Sequence, residues 1–200
     1  MSPPFSKPVM ASDISVKIKL CEYPSKSRDK VRIHVSDYKT LDKDTYVNDS
    51  VVDLYLQHLL HFCLNEQDNP KVHLFNSMFY ARLSGNASFP GDKNLTPHEK
   101  VRRWTKGVNI FEKDMVIIPI CHQSHWFTVI VARPYLLAAV GNQDLGKPFL
   151  LVLDSLGRLQ VGSAFIVKKY LVKEWGEKMS ENEESHLSLN LSKKYDFFLK

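Results

Sequence analysis

Cysteine is scarce in this sequence. Cys21, Cys63 and Cys121 are the whole complement of 200 residues, too few and too scattered for a disulfide framework. That usage fits a reducing compartment, the nucleus or the cytoplasm. No run of 18 apolar residues occurs, so no segment has the length of a spanning helix and no membrane partner is expected. The first thirteen residues, "MSPPFSKPVMASD", lack the apolar stretch of a secretory signal. There is no internal repeat. Basic residues exceed acidic ones, 27 against 22, but they are spread along the chain rather than massed in one block. That pattern is a solvated surface, and no nucleic-acid site is expected.

What is present is the composition of a globular domain with a real core, 44% hydrophobic and 24% charged. Residues 1–13 hold three prolines and three serines without periodicity, which predicts a disordered lead-in. "ISVKIKL" (14–20) and "KVRIHVS" (30–36) alternate as half-buried strands, joined by turn-forming "YPSKSRDK". "NDSVVDLYLQHLLHFCLN" (48–65) is the strongest helix. Val52, Tyr55, Leu56, Leu59, Phe62 and Cys63 share a stripe, and Asn48 or Asp49 is placed to cap it. A second helix is expected over 73–85, ended by Gly85. A third opens at "TPHEKVRRWT", with Thr96, Pro97 and Glu99 in capping-box positions.

Three apolar runs follow, at 114–121, 125–133 and 148–156. Their Val and Ile content predicts central strands covered on both faces, with Pro119 as the one discordant residue. Residues 163–179 return to helical spacing through Phe165, Ile166, Tyr170, Val172 and Trp175, and the chain after Gly176 turns polar. Strand pair, helices, strands and a last helix make the fold class α+β.

The stretch "CHQSHWFTVIVARP" (121–134) carries the chemistry. Cys121, His122 and His125 are all metal-ligand types, yet a structural zinc site wants a second close pair, and none follows. No metal and no cofactor are expected, and Cys121 reads as a small packing residue at a strand end. His125 opens an apolar strand, and Asp154 ends the next one. If those strands are neighbours in register, imidazole and carboxylate meet at one rim, where the acid would fix the tautomer of the base. The same Asp before "SLG" also reads as a simple turn former.

Four blocks, "YVNDSVVDLYLQHLL", "VRRWTKGVNIFEKDMVIIPI", "SHWFTVIVARP" and "LVLDSLG", resemble in order and spacing the SENP/Ulp family of SUMO-specific cysteine proteases. The middle blocks are most similar to the branch that trims poly-SUMO chains. The resemblance implies a papain-like cysteine protease fold of the Ulp type. It also implies hydrolysis of peptide or isopeptide bonds after Gly-Gly, and SUMO or another ubiquitin-like protein as partner. It makes His125 the general base and Asp154 its orienting acid. Trp126 matches an aromatic that covers the Gly-Gly tail, and Tyr46 stands where the family often has Trp or Phe on the opposite wall. Asp49 matches a position that pairs with a basic side chain of the modifier. Each has a plainer reading: Trp126 as core, Asp49 as a cap, Tyr46 as a staple over the helix.

The family's nucleophile follows the Asp, in a Q-x-x-x-x-D-C-G block. No cysteine follows Cys121 here, and Gln160 has no D-C-G behind it. The sequence therefore reads as a disordered lead-in (1–13), a partial Ulp-type domain (14–179), and a polar insert with a truncated end (180–200). The fold is expected to be incomplete at its C-terminus, with the apolar strand faces partly uncovered, and the chain inactive by itself. The alternative is a non-catalytic SUMO-binding module. Oligomeric state is left open.

Overall fold

The computed structural model describes residues 18–24, 30–65, 67–137 and 148–181. The expected lead-in and residues 182–200 lie outside the described residues. The chain divides into two compact units, Met1–Cys63 and Leu64–Lys200.

In the first unit, β1 (Lys19–Tyr23) and β2 (Val31–His34) form an antiparallel pair with Cys21 opposite Ile33. The expected second strand ends early. Val35 and Ser36 belong instead to a short helix, α1 (Val35–Lys39), because the Asp37 carboxylate turns back to accept from the His34 backbone N–H at 2.7 Å. That bond satisfies an orphan donor at the helix start. Helix α2 (Asp49–Cys63) matches the expected span. Asn48 caps it, its side-chain oxygen accepting from the Val51 N–H at 3.1 Å. The predicted stripe is only partly buried: Val52, Leu56 and Leu59 are half-buried, whereas Tyr55 is 61% and Phe62 71% exposed, and Cys63 is exposed. Within its own unit α2 has only a two-stranded ribbon and one helical turn to pack on, too little surface to bury a face.

The second unit is built on a four-stranded sheet of order β3-β4-β5-β6. Its strands are β3 (Val72–Leu74), β4 (Met115–His122), β5 (His125–Ala132) and β6 (Phe149–Leu153). β3 runs parallel to β4, and the remaining pairs are antiparallel. The helix predicted over 73–85 divides into β3 and α3 (Ser77–Leu83). Pairing with β4 extends the first half, and Asn76 caps the second by accepting from the Phe79 N–H. Helix α4 (Pro97–Val101) has the expected capping box, with Thr96 N–H to Glu99 and Glu99 N–H to Thr96. Helix α5 (Val161–Glu181) continues past Gly176 to Glu181.

Pro119 fits because of where β3 ends. Ile117 presents its carbonyl to Phe75 on the β3 side, so Pro119, two residues on, faces the same side beyond the last strand pair of β3. No ladder donor is missing there. The three long strands are not covered equally on both faces. Val116, Ile118, Ile120, Phe127, Val129, Val131, Leu150 and Val152 are buried in one cluster with residues of α3, α4 and α5. Of their alternate neighbours, Ile117, Trp126, Thr128, Ile130 and Leu151 are half-buried, Pro119 is buried, and Cys121 and Leu153 are exposed. The helices thus cover one face, and the other is only partly covered. Exposed apolar side chains of this unit include a run at Leu153, Leu156, Leu159, Val161 and Phe165, besides Phe89, Leu95 and Tyr135. On α5 the buried stripe is Ala164, Val167, Tyr170, Leu171 and Trp175; Phe165 of the expected stripe points to solvent.

Candidate active site

β4 and β5 are joined by the shortest common hairpin connection: His122 pairs with His125, leaving Gln123 and Ser124 as the turn. Both are left-handed, at φ 51° and 58°, the backbone of a type I′ turn normally taken by Asn-Gly. Neither residue is glycine, so the tip holds roughly 1–3 kcal/mol of strain per residue. The turn makes His125 the first residue of β5.

Strand parity then decides which way each side chain faces. His125 shares a face with Phe127, Val129 and Val131, the row that enters the core. Its ring lies nearly parallel to that of Phe127, at 21° and 6.3 Å. On β6, Thr128 pairs with Leu153 and Val129 with Val152. One step further along that register, Asp154 comes opposite Phe127, diagonal to His125 on the same face. The imidazole Nε2 and Asp154 Oδ1 are 2.7 Å apart. The rim geometry expected from two neighbouring strands is present.

Asp154 is held from three directions. Oδ1 also accepts from the Leu156 N–H at 2.8 Å, and Oδ2 accepts from Gln160 Nε2 at 2.7 Å. The strand ends in a tight turn in which the Gly157 N–H returns to the Asp154 carbonyl, and Gly157 supplies its φ of +66°. The Asp154 side chain is 2% exposed, that of His125 16%. Burial alone would push the Asp154 carboxyl up; the hydrogen bonds from Gln160, Leu156 and His125 outweigh it and hold the carboxyl below its ordinary value. An ionised acid accepts, so Nε2 carries the proton and donates it. That leaves the lone pair on Nδ1, which has no hydrogen-bond partner among the described residues. An imidazole so arranged can take a proton at Nδ1 while the carboxylate stabilises the resulting charge.

The other sequence candidates sit as follows. Trp126 is half-buried on β5, cross-strand from Cys121, on the sheet face opposite to His125. Tyr46 (77% exposed) and Asp49, the exposed first residue of α2, belong to the first unit. Asp49 is not the cap of α2, since Asn48 fills that place. Cys121 is exposed rather than packed. The last two residues of β4 are exposed, and parity puts the Cys121 side chain on the sheet face opposite to His125. Among the described residues no group of three or more His, Cys, Asp or Glu is arranged to hold a metal ion.

Gln160 is the residue that sequence reasoning missed. In the sequence it is only a glutamine without D-C-G behind it; in the structure its amide is engaged with the acid. A second His–carboxylate pair was also missed. His98 Nε2 lies 2.6 Å from Glu174 Oε2, joining α4 to α5, with side chains 5% and 4% exposed. The two residues are 76 apart in sequence and both are sealed in the core. No substrate reaches that pair, and its work is to join two helices. The pair at the sheet rim differs in having a partly exposed base.

A model of the Ulp1 protease family, C-terminal catalytic domain, matches residues 45–193. Probable ubiquitin-like-specific protease 2B of Arabidopsis thaliana is 29% identical over 168 residues, which cover 81% of this chain and 18% of that protein. Human Sentrin-specific protease 2 is 31% identical over 158 residues, which cover 79% of this chain and 23% of that protein. The chain thus spans less than a quarter of the length of these curated relatives. A solved de-sumoylating protease superimposes with a TM-score of 0.69 at 23% identity, covering 92% of this chain and 64% of that one. The α+β architecture described above is therefore the Ulp type, and the chain belongs to the Ulp1 protease family of ubiquitin-like-specific cysteine proteases.

Proposed function

We propose that this domain serves hydrolysis of peptide or isopeptide bonds after the C-terminal Gly-Gly of SUMO or a related ubiquitin-like protein. The observation that carries the reading is the 2.7 Å contact between His125 and a thrice-held Asp154 at a sheet rim. His125 is the general base, taking a thiol proton at Nδ1. Asp154 is its orienting acid. The thiolate so formed attacks the scissile carbonyl, and the imidazolium gives its proton to the leaving amine as the C–N bond breaks. Water then hydrolyses the thioester, releasing the Gly-Gly carboxylate and restoring the thiol. Trp126 and Tyr46 are the aromatic groups that contact the glycine tail. Glycine is the residue whose backbone passes closest to an aromatic plane, so such contacts select Gly-Gly before any other side chain is read. Asp49, exposed at the first turn of α2, pairs with a basic side chain of the modifier. A reducing compartment, nucleus or cytoplasm, suits a thiol enzyme.

All three cysteines of the sequence precede Asp154, and Cys121 faces away from His125. That observation favours a second reading for these 200 residues taken alone: they bind the modifier without cleaving it. Two measurements on the purified chain test both readings. A SUMO bearing a C-terminal electrophile is expected to leave every thiol unlabelled; labelling of Cys121 or Cys63 would overturn the non-catalytic reading. Calorimetry is expected to detect SUMO binding that Asp49→Ala or Trp126→Ala weakens at least tenfold, about 1.4 kcal/mol. Absence of binding to any ubiquitin-like protein would overturn the substrate assignment.

A further inference from the structure

Gln160 occupies an unusual place. Its backbone carbonyl accepts from the Ala164 N–H at 3.1 Å, so it is the residue from which α5 starts. Its φ is +39°, a left-handed conformation that a non-glycine residue enters at a cost. A helix start does not require that backbone; Ser, Thr, Asp or Asn in extended conformation is the ordinary solution. The left-handed turn instead directs the side chain back over the preceding loop. There Nε2 reaches Asp154 Oδ2, six residues earlier, at 2.7 Å. Backbone strain persists where surrounding contacts over-determine it, and this contact is the one the strain serves.

We propose that Gln160 is a positioning residue for the His125–Asp154 pair, locking the carboxylate so that the imidazole keeps its proton on Nε2 and its lone pair on Nδ1. The inference rests on the reading of His125 as the base. A carboxylate turns about its Cβ–Cγ bond unless both oxygens are held. The Leu156 N–H and His125 secure Oδ1 alone. Gln160 secures Oδ2, and the carboxylate plane is then fixed with Oδ1 toward the ring. The same donor helps to keep the buried carboxyl ionised against the cost of its burial. An acid that is rotated, or neutral for part of the time, no longer selects one tautomer. The neutral ring then spends part of its time with Nδ1 protonated, unable to accept the thiol proton. The Gln160 amide therefore acts on the acid, and through the acid on the base.

NMR of the isotopically labelled 200-residue chain tests this without any ubiquitin-like protein, so its outcome is separate from that of the binding assay. Long-range proton–nitrogen spectra of His125 report which ring nitrogen is protonated, and carboxyl carbon shifts report the titration of Asp154. Two variants remove the amide: Gln160→Leu, and Gln160→Gly, which also relieves the left-handed backbone. In the parent chain near pH 7.5 a single Nε2–H tautomer is expected. In both variants a mixture of tautomers is expected, with the Asp154 midpoint moved upward. Gln160→Gly is expected to melt no lower than Gln160→Leu, since glycine takes the positive φ freely. A residue that merely starts a helix would leave ring and carboxyl unchanged in the glycine variant. One Nε2–H tautomer and an unmoved Asp154 midpoint in a folded Gln160→Gly chain would overturn the proposal.

Discussion

His73 gives the sharpest quantitative test of the second unit. It lies on the edge strand β3, its ring edge-on to Phe75 at 4.6 Å. Its Nε2 is buried with no hydrogen-bond partner among the described residues. Burial first, and then the positive charge of Lys113, push the imidazole down from 6.5 to about 4. The folded state therefore holds His73 neutral where the unfolded chain takes up a proton. The unfolded state binds more protons across this window, so stability is full above the unfolded value of 6.5. It falls with pH until the folded value near 4 is reached. Each pH step of one between those two values is worth about 1.4 kcal/mol. The whole window is then worth about 3 kcal/mol, of which about 2 kcal/mol is lost between pH 7 and pH 5. His73→Phe keeps an aromatic ring against Phe75 and removes the proton site. Urea denaturation followed by tryptophan fluorescence reads the right unit, because Trp104, Trp126 and Trp175 all lie in Leu64–Lys200. The parent is expected to lose about 2 kcal/mol more than the variant between the two pH values, other titrating groups cancelling in the comparison. Equal losses in the two proteins would refute the buried neutral imidazole.

The hairpin tip offers a gain rather than a loss. Replacing Gln123 by Asn and Ser124 by Gly suits the two positive φ values and is expected to raise stability by about 1 kcal/mol in thermal melts; a lower melting temperature would contradict the turn assignment. Asp92 is 6% exposed, accepts from Arg82 Nη2 at 2.8 Å and from the Phe89 N–H at 3.0 Å. Asp92→Ala leaves the Arg82 charge without its partner and is expected to cost about 3 kcal/mol, against less than half of that for Asp92→Asn. Phe79, fully buried and stacked on Phe75 at 3.7 Å, is expected to cost about 3–5 kcal/mol on truncation to Ala. A cost under about 1 kcal/mol in chemical denaturation would place it outside the core.

Much of the architecture is legible in the sequence because it is written in local periodicity. The span of α2, the capping box at Thr96 and the three long strands follow from spacing and cap chemistry that operate over a few residues. The failures have a common cause. Residues 73 and 74 read as helix because an apolar residue such as Leu74 suits either period, and only pairing with β4, some forty residues away, chooses strand. The α2 stripe has the right period, but burial needs an opposing surface, and its own unit supplies little. The apolar neighbours of Cys121 suggest a packing role, whereas the end of a two-residue hairpin projects into solvent.

The candidate site divides in the same way. His125 and Asp154 are visible in the sequence as a conditional pair, since one opens an apolar run and the other closes the next; the condition is a register that no local signal states. Gln160 carries no signal at all, because a glutamine six residues past an aspartate gains meaning only through its left-handed backbone. The condition on register also accounts for the strained tip. Shifting β5 by one residue against its neighbours would send His125 to the face that now holds Trp126, and Phe127 out of the core. A two-residue type I′ turn admits no such slip without changing length. The strain at Gln123 and Ser124 is thus tied to the parity of β5, which places the base on the same face as its acid. A one-residue insertion between Gln123 and Ser124 should therefore abolish the His125–Asp154 contact, read as loss of the Nε2–H tautomer, even where the sheet survives. Retention of that tautomer would show that turn length does not set the site.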